Sequence, residues 1–154
     1  MDHLRGYENV GHVLRVLSEM HEEIAGAISG LSAQTHDERR KMTLDYLADE
    51  QSKRAASLLV FQRDAEPMLL EQWLQIPFPE APLDLIASLR AQESASSSVD
   101  GLVSEIDTFI GKLLSHLRDR AETSNAKALF EDLLYIDSRE RQLRSRGLAS
   151  FAQI

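Results

Sequence analysis

The run Asp49-Glu50-Gln51-Ser52-Lys53-Arg54 sets charged and amide side chains into the middle of an apolar helical stripe made by Leu44, Leu47, Ala48, Ala55, Leu58 and Leu59. Helical metalloproteins keep ligands at such a position, so the run is a site, the remnant of one, or a solvated face. Two further polar residues interrupt apolar stripes: His21, among Val10, Leu14, Leu17, Ile24, Ile28 and Leu31, and Asp137, after Leu133 and Leu134 with Glu140 one turn on. Helix phase, at about 100° per residue, sorts these side chains. Gln51 falls in the middle of its face with Arg54 three residues on, Asp137 falls in the middle of another, and Glu50 lies at a margin. The interior polar cluster is therefore His21, Gln51, Arg54, Asp137 and Glu140. It reads either as a polar binding pocket or as a hydrogen-bonded ion-pair network, with Arg54 against Asp137 or Glu140, because a buried charge must be paired.

Composition excludes much other chemistry. The 154 residues contain no cysteine, which removes disulfides, thiolate nucleophiles, cysteine zinc sites and iron–sulfur clusters. Neither a G-x-S-x-G elbow nor a glycine-rich phosphate loop is present. With 25 acidic against 17 basic side chains, the net charge of −8 repels nucleic acid and anionic lipid. The N-terminal stretch lacks the features of a signal peptide, and no apolar run reaches the roughly 20 residues that span a bilayer. The expected setting is cytoplasmic, with neither nucleic acid nor membrane as partner.

The elements that must position the cluster follow from periodicity. A first long helix is expected from about Tyr7 to Ala33. Thr35 with Glu38 makes a capping box that opens a second helix, which runs to Asp64 and ends before Pro67. The connection is short, so these two helices lie antiparallel. A long crossover follows, with short helices over Met68–Gln75 and 82–92. Its apolar residues, Trp73, Leu74, Ile76, Phe78, Leu83, Ile86 and Leu89, cap one end or side of the fold. Trp73, Phe78 and the proline-rich corner also offer a ligand cleft or a dimer contact, and a homodimer is the expected state. The serine-rich run 93–98 is a loop. A third helix from about Val99 to Glu122 buries Val99, Leu102, Ile106, Phe109, Ile110, Leu113 and Leu117. A fourth runs from about Ala126 to Arg146, with Gly147 as its C-terminal cap and an apolar tail that docks. The arginines 139, 141, 144 and 146 suit a helix C-terminus or an acidic partner.

The order helix, short turn, helix, long crossover, helix, short turn, helix defines a single all-α domain over residues 1–154, a four-helix bundle of the one-crossover kind. In this order, with YLADEQSKR (46–54) and LFEDLLYIDSRERQL (129–143) in the second and fourth helices, the chain resembles the ferritin-like, rubrerythrin-type superfamily. The resemblance implies a di-metal centre of iron or manganese, held by a Glu from each of two helices and a Glu-x-x-His pair from each of the other two. Matched by residue type, the candidates are Glu19, Glu50 with Lys53, Glu105, and Asp137 with Glu140. Matched by phase, the two pairs become Gln51-x-x-Arg54 and Asp137-x-x-Glu140, and a guanidinium stays protonated and cannot ligate.

Two functions follow from these matches. The first is a ferritin-like bundle without a working di-metal site or cofactor, acting as a non-catalytic binding or protein-interaction module for a ligand the residues do not name. The alternative is an iron- or manganese-binding oxidoreductase or storage protein, with an atypical site built from His21, Glu50, Glu105, Asp137 and Glu140.

Overall fold

Asn9 begins the first long helix by accepting the backbone N–H of His12 at 2.7 Å, satisfying a donor that the first turn leaves open. The structure is a computed structural model describing residues 4–77, 81–91 and 99–152. Phe78, Pro79 and the serine-rich run 93–98 lie outside the described residues, as do the side chains of Leu83, Val99 and Leu102. The described chain is mostly helical, with one two-stranded sheet: β1 (Tyr7–Asn9), α1 (Val10–Gln34), α2 (Glu38–Asp64), α3 (Pro67–Leu70), β2 (Trp73–Gln75), α4 (Ala81–Arg90), α5 (Val99–Arg120) and α6 (Ser124–Ala152).

The sheet corrects two helical expectations, for Tyr7–Asn9 and for Met68–Gln75. β1 and β2 pair antiparallel, Tyr7 opposite Gln75 and Asn9 opposite Trp73, and the Ile76 N–H donates to the Gly6 carbonyl at 2.9 Å. Pairing satisfies backbone groups that a continued helix would otherwise have used, so α3 stops after one turn. The alternation of β2 turns Leu74 into the core and leaves Trp73 outside. There it stacks on Tyr7 with ring centroids 5.4 Å apart. Trp73 thus caps nothing, whereas Leu74, Ile76, Ile86 and Leu89 are buried in the core.

α1 and α2 run antiparallel, as their cross-links show. The Ser18 hydroxyl donates to the Ala55 carbonyl at 2.8 Å, Gln62 Nε2 donates to the Gly11 carbonyl at 3.2 Å, and the Ser32 hydroxyl donates to Asp45. Thr35 does not open α2. It closes α1, and the capping residue of α2 is Asp37, whose Oδ1 accepts from the N–H groups of Arg39 at 3.0 Å and Arg40 at 3.4 Å. A carboxylate at that position also meets the positive end of the helix dipole, which a threonine hydroxyl does not. Asp37→Ala is expected to cost about 1 kcal/mol, read as a lower urea midpoint with an unchanged slope.

α6 is longer than its periodicity suggests and passes straight through Gly147. That glycine is not a cap. A Cβ there would strike the hydroxyl end of Tyr46, which reaches across from α2 and donates to the Leu143 carbonyl at 3.3 Å. The missing side chain lets Tyr46 lie against α6. On α2, Leu59 departs from the expected stripe and is exposed. Of the apolar tail, Leu148 packs partly buried against the core. Among the described residues no helix is long and apolar enough to cross a membrane.

Candidate functional site

Midway along the long helices the core turns polar. His21 of α1, Glu50, Gln51 and Arg54 of α2, Asp107 of α5, and Asp137 and Arg144 of α6 are all buried. Four helices therefore supply one cluster. On α2, Glu50 and Arg54 stand one turn apart, and on α6, Asp137 and Arg144 stand two turns apart, the spacings that keep side chains on one helix face.

Two guanidinium groups organise the cluster. Arg54 Nη1 lies 2.9 Å from Asp107 Oδ1 and 3.5 Å from Glu50 Oε1, and its Nη2 contacts Asp137. Arg144 Nη1 lies 3.1 Å from the same Glu50 oxygen, and its Nη2 contacts Asp107 Oδ2. Asp107 therefore takes one arginine on each oxygen, and Glu50 receives both on Oε1. Arg141, partly exposed, approaches Asp137 Oδ2 at 3.4 Å. The Asp137 oxygens hold these contacts as ion pairs without hydrogen-bond geometry, and Glu50 Oε2 has no hydrogen-bond partner.

Three buried carboxylates against two buried guanidiniums leave one surplus negative charge. Glu50 carries the consequence: burial raises its pKa to about 7, against the opposing pull of Arg144 and Arg54. Asp107 and Glu140 add to the rise. Protonated Glu50 makes the inner cluster neutral. Arg144 moves up, because Asp107 and Glu50 together outweigh its burial, the largest single influence. His21 moves the other way, to about 4, first through burial and then through Arg54. Its Nδ1 lies 2.6 Å from Gln51 Oε1. An amide oxygen only accepts, so Nδ1 carries the proton and Nε2 is the basic nitrogen of a neutral ring.

Below the cluster, a cleft of about 50 Å³ runs between α2 and α6. Leu17, Leu58, Phe61, Ile110, Leu114 and Leu133 line it together with His21, Arg54 and Asp137 of the cluster. Glu140 and the exposed Lys53 flank it. Glu140 is half-buried at this rim, while the partners of Arg54 are Asp107, Asp137 and Glu50.

Several residues differ in place from the expectation. Glu50, assigned to a margin, is buried within the cluster. Glu105 is exposed and Glu19 half-buried; the interior carboxylate of α5 is Asp107. Its signal lies in the sequence, since Val103, Asp107, Ile110 and Leu114 recur at four, three and four residues and all are buried. The face drawn through Ile106, Phe109, Ile110, Leu113 and Leu117 is part of a broader one that also takes in Val103, Asp107 and Leu114. The four arginines of α6 divide: Arg144 is buried, Arg141 sits at the edge, and Arg139 and Arg146 are exposed. Arg144 stands seven residues after Asp137, hence on its stripe.

The iron or manganese implied by the ferritin-like resemblance does not fit these residues. Glu50 and Asp137, the buried carboxylates of the expected set, already meet guanidiniums, which cannot ligate, while Glu105 is exposed and Glu140 only half-buried. Among the described residues, no three His, Asp or Glu side chains converge as a set that could hold a metal ion. What fold and site define is a helical protein in which Glu50, Asp107 and Asp137 are each paired in the interior with a buried arginine. No family model, curated protein or solved structure matches the chain.

Proposed function

We propose that the four long helices form a ferritin-like bundle in which Arg54 and Arg144 take the place of metal cations, and that the protein is a non-catalytic binding or interaction module acting as a homodimer. The helix directions support the topology. Tyr46 meets Leu143 and Arg54 meets Asp137, so α6 runs antiparallel to α2. α5 joins α6 through residues 121–123 alone, a connection short enough to make those two antiparallel. α5 then runs parallel to α2, and the segment between them returns along the length of the bundle, as a one-crossover bundle requires.

The observation that carries the functional reading is that each carboxylate of the cluster is bridged by a guanidinium. Two fixed positive charges among three carboxylates supply the compensation that a ferritin-like bundle draws from its cations. They supply neither open coordination positions nor redox chemistry.

Protein purified without chelator, supplied with iron(II) and manganese(II) and desalted, is expected to retain less than stoichiometric metal by elemental analysis. Retention of one or two equivalents, abolished by Asp137→Ala, overturns the reading in favour of a metal-binding oxidoreductase or storage protein.

A further inference from the structure

The outward face of α6 carries a pattern that fits a second copy of itself. Ala128, Asp132, Tyr135, Arg139, Gln142 and Arg146 recur at four, three, four, three and four residues, and all six are exposed or at the surface edge, so they form one straight stripe along the helix. Tyr135 and the neighbouring Leu143 are among the large exposed apolar side chains. The stripe is polarised. Its N-terminal half carries Asp132 beside an apolar groove of about 400 Å³, which Val60, Ala65, Leu69 and Ala128 line with Asp64 at its edge. Its C-terminal half carries Arg139, Arg146 and Leu143 around a hollow of about 280 Å³.

We infer that this stripe is the homodimer interface, two α6 helices packing antiparallel about a two-fold axis at Tyr135. The inference rests on the dimeric reading above and names its surface. With Tyr135 at the axis, Asp132 faces Arg139 of the second copy, and the same pair forms again on the other side of the axis. Ala128 faces Leu143 of the second copy, which enters the apolar groove as a side chain into a hole. Arg146 of the second copy then falls opposite Asn125, beside Asp64 at the edge of the groove. A two-fold contact requires one patch to complement itself, and an acidic half followed by a basic half does so only in the antiparallel sense. The pairing also answers the repulsion between two chains of net charge −8, since the contact matches each acidic side chain of the stripe with a basic one. A parallel pair would oppose Arg139 to Arg139 and Asp132 to Asp132, and like charges so placed disfavour the complex.

Sedimentation of the wild type at tens of micromolar is expected to give twice the 17.3 kDa chain mass. Arg139→Asp and Asp132→Arg each set like charges together twice per dimer and are expected to weaken association on the order of a hundredfold. The double variant Asp132→Arg with Arg139→Asp is expected to restore it. Because the chain has no cysteine, Tyr135→Cys under oxidation is expected to give a covalent dimer, while Glu22→Cys on α1 stays monomeric on a denaturing gel. A wild type of single-chain mass overturns both this surface and the dimeric reading. A dimer indifferent to both charge reversals, or one that the Glu22→Cys variant cross-links and the Tyr135→Cys variant does not, overturns this surface and leaves the dimeric reading standing.

Discussion

Arg54→Ala is expected to lower the free energy of unfolding by about 3–5 kcal/mol, the cost of breaking a buried ion pair from one side. Arg54 is the only group among the described ion pairs that contacts Glu50, Asp107 and Asp137 together. Removing it leaves Asp107 and Glu50 to Arg144, and leaves Asp137 to the partly exposed Arg141 alone. At about 2–4 °C per kcal/mol for a chain of this size, the melting temperature falls by roughly 6–20 °C. Arg141→Ala, by contrast, removes an ion pair with 40% side-chain exposure on the arginine and is expected to cost less than about 1 kcal/mol. A triple replacement, Arg54→Met with Asp107→Leu and Asp137→Leu, should recover much of the loss, because well-packed apolar groups avoid the desolvation that the charges undergo. Urea melts at neutral pH check all three. Equal stabilities for Arg54→Ala and the wild type would remove the network as a source of stability.

The two shifted groups in the same core are expected to oppose one another as pH changes. His21 has a folded pKa of about 4 against an ordinary 6.5. Its contribution is complete above pH 6.5 and is lost as pH falls toward 4, because the unfolded chain takes up the proton first. Glu50 has a folded pKa of about 7 against an ordinary 4.5. Here the folded state holds the proton that the unfolded chain releases, so this contribution is complete below pH 4.5 and is lost as pH rises toward 7. Each slope is at most about 1.4 kcal/mol per pH unit. Between pH 4.5 and 6.5 they have opposite sign and largely cancel. Relative to the wild type, Glu50→Gln should therefore gain stability as pH rises through this window, and His21→Gln should lose it. Urea unfolding at half-unit intervals, read as differences from the wild type so that the remaining groups drop out, tests both signs. Difference curves that stay level from pH 4.5 to 7 would show that neither group changes its protonation on folding.

Helix phase alone points His21, Gln51, Arg54 and Asp137 inward, and all four are buried. It works there because each polar position is flanked by apolar residues along its stripe, whose burial carries it inside. Asp107 escapes the same treatment. α5 faces both α4 and α6, so its buried surface is wider than one stripe and takes in a carboxylate next to Ile106. Arg144 escapes because it stands among other arginines near the expected end of its helix, where solvent and the helix dipole account for basic residues equally well. The cap at Asp37 and the β1–β2 pair are hidden for a related reason: each depends on which backbone groups find partners, and those partners are set by neighbours in space.

What the amino-acid sequence by itself determined is the helical character, the extent of α2, the antiparallel α1–α2 pair and the polar interruptions at His21, Gln51, Arg54 and Asp137. All of these follow from periodicity and local chain stiffness within a single segment. What only the tertiary structure decided is which charges meet. Asp107 and Arg144 lie 37 residues apart in the chain, and Glu50 and Arg144 lie 94 apart. Their pairing depends on the rotation of α5 and α6 about their own axes, and that rotation is set by the packing of all the apolar side chains around them at once.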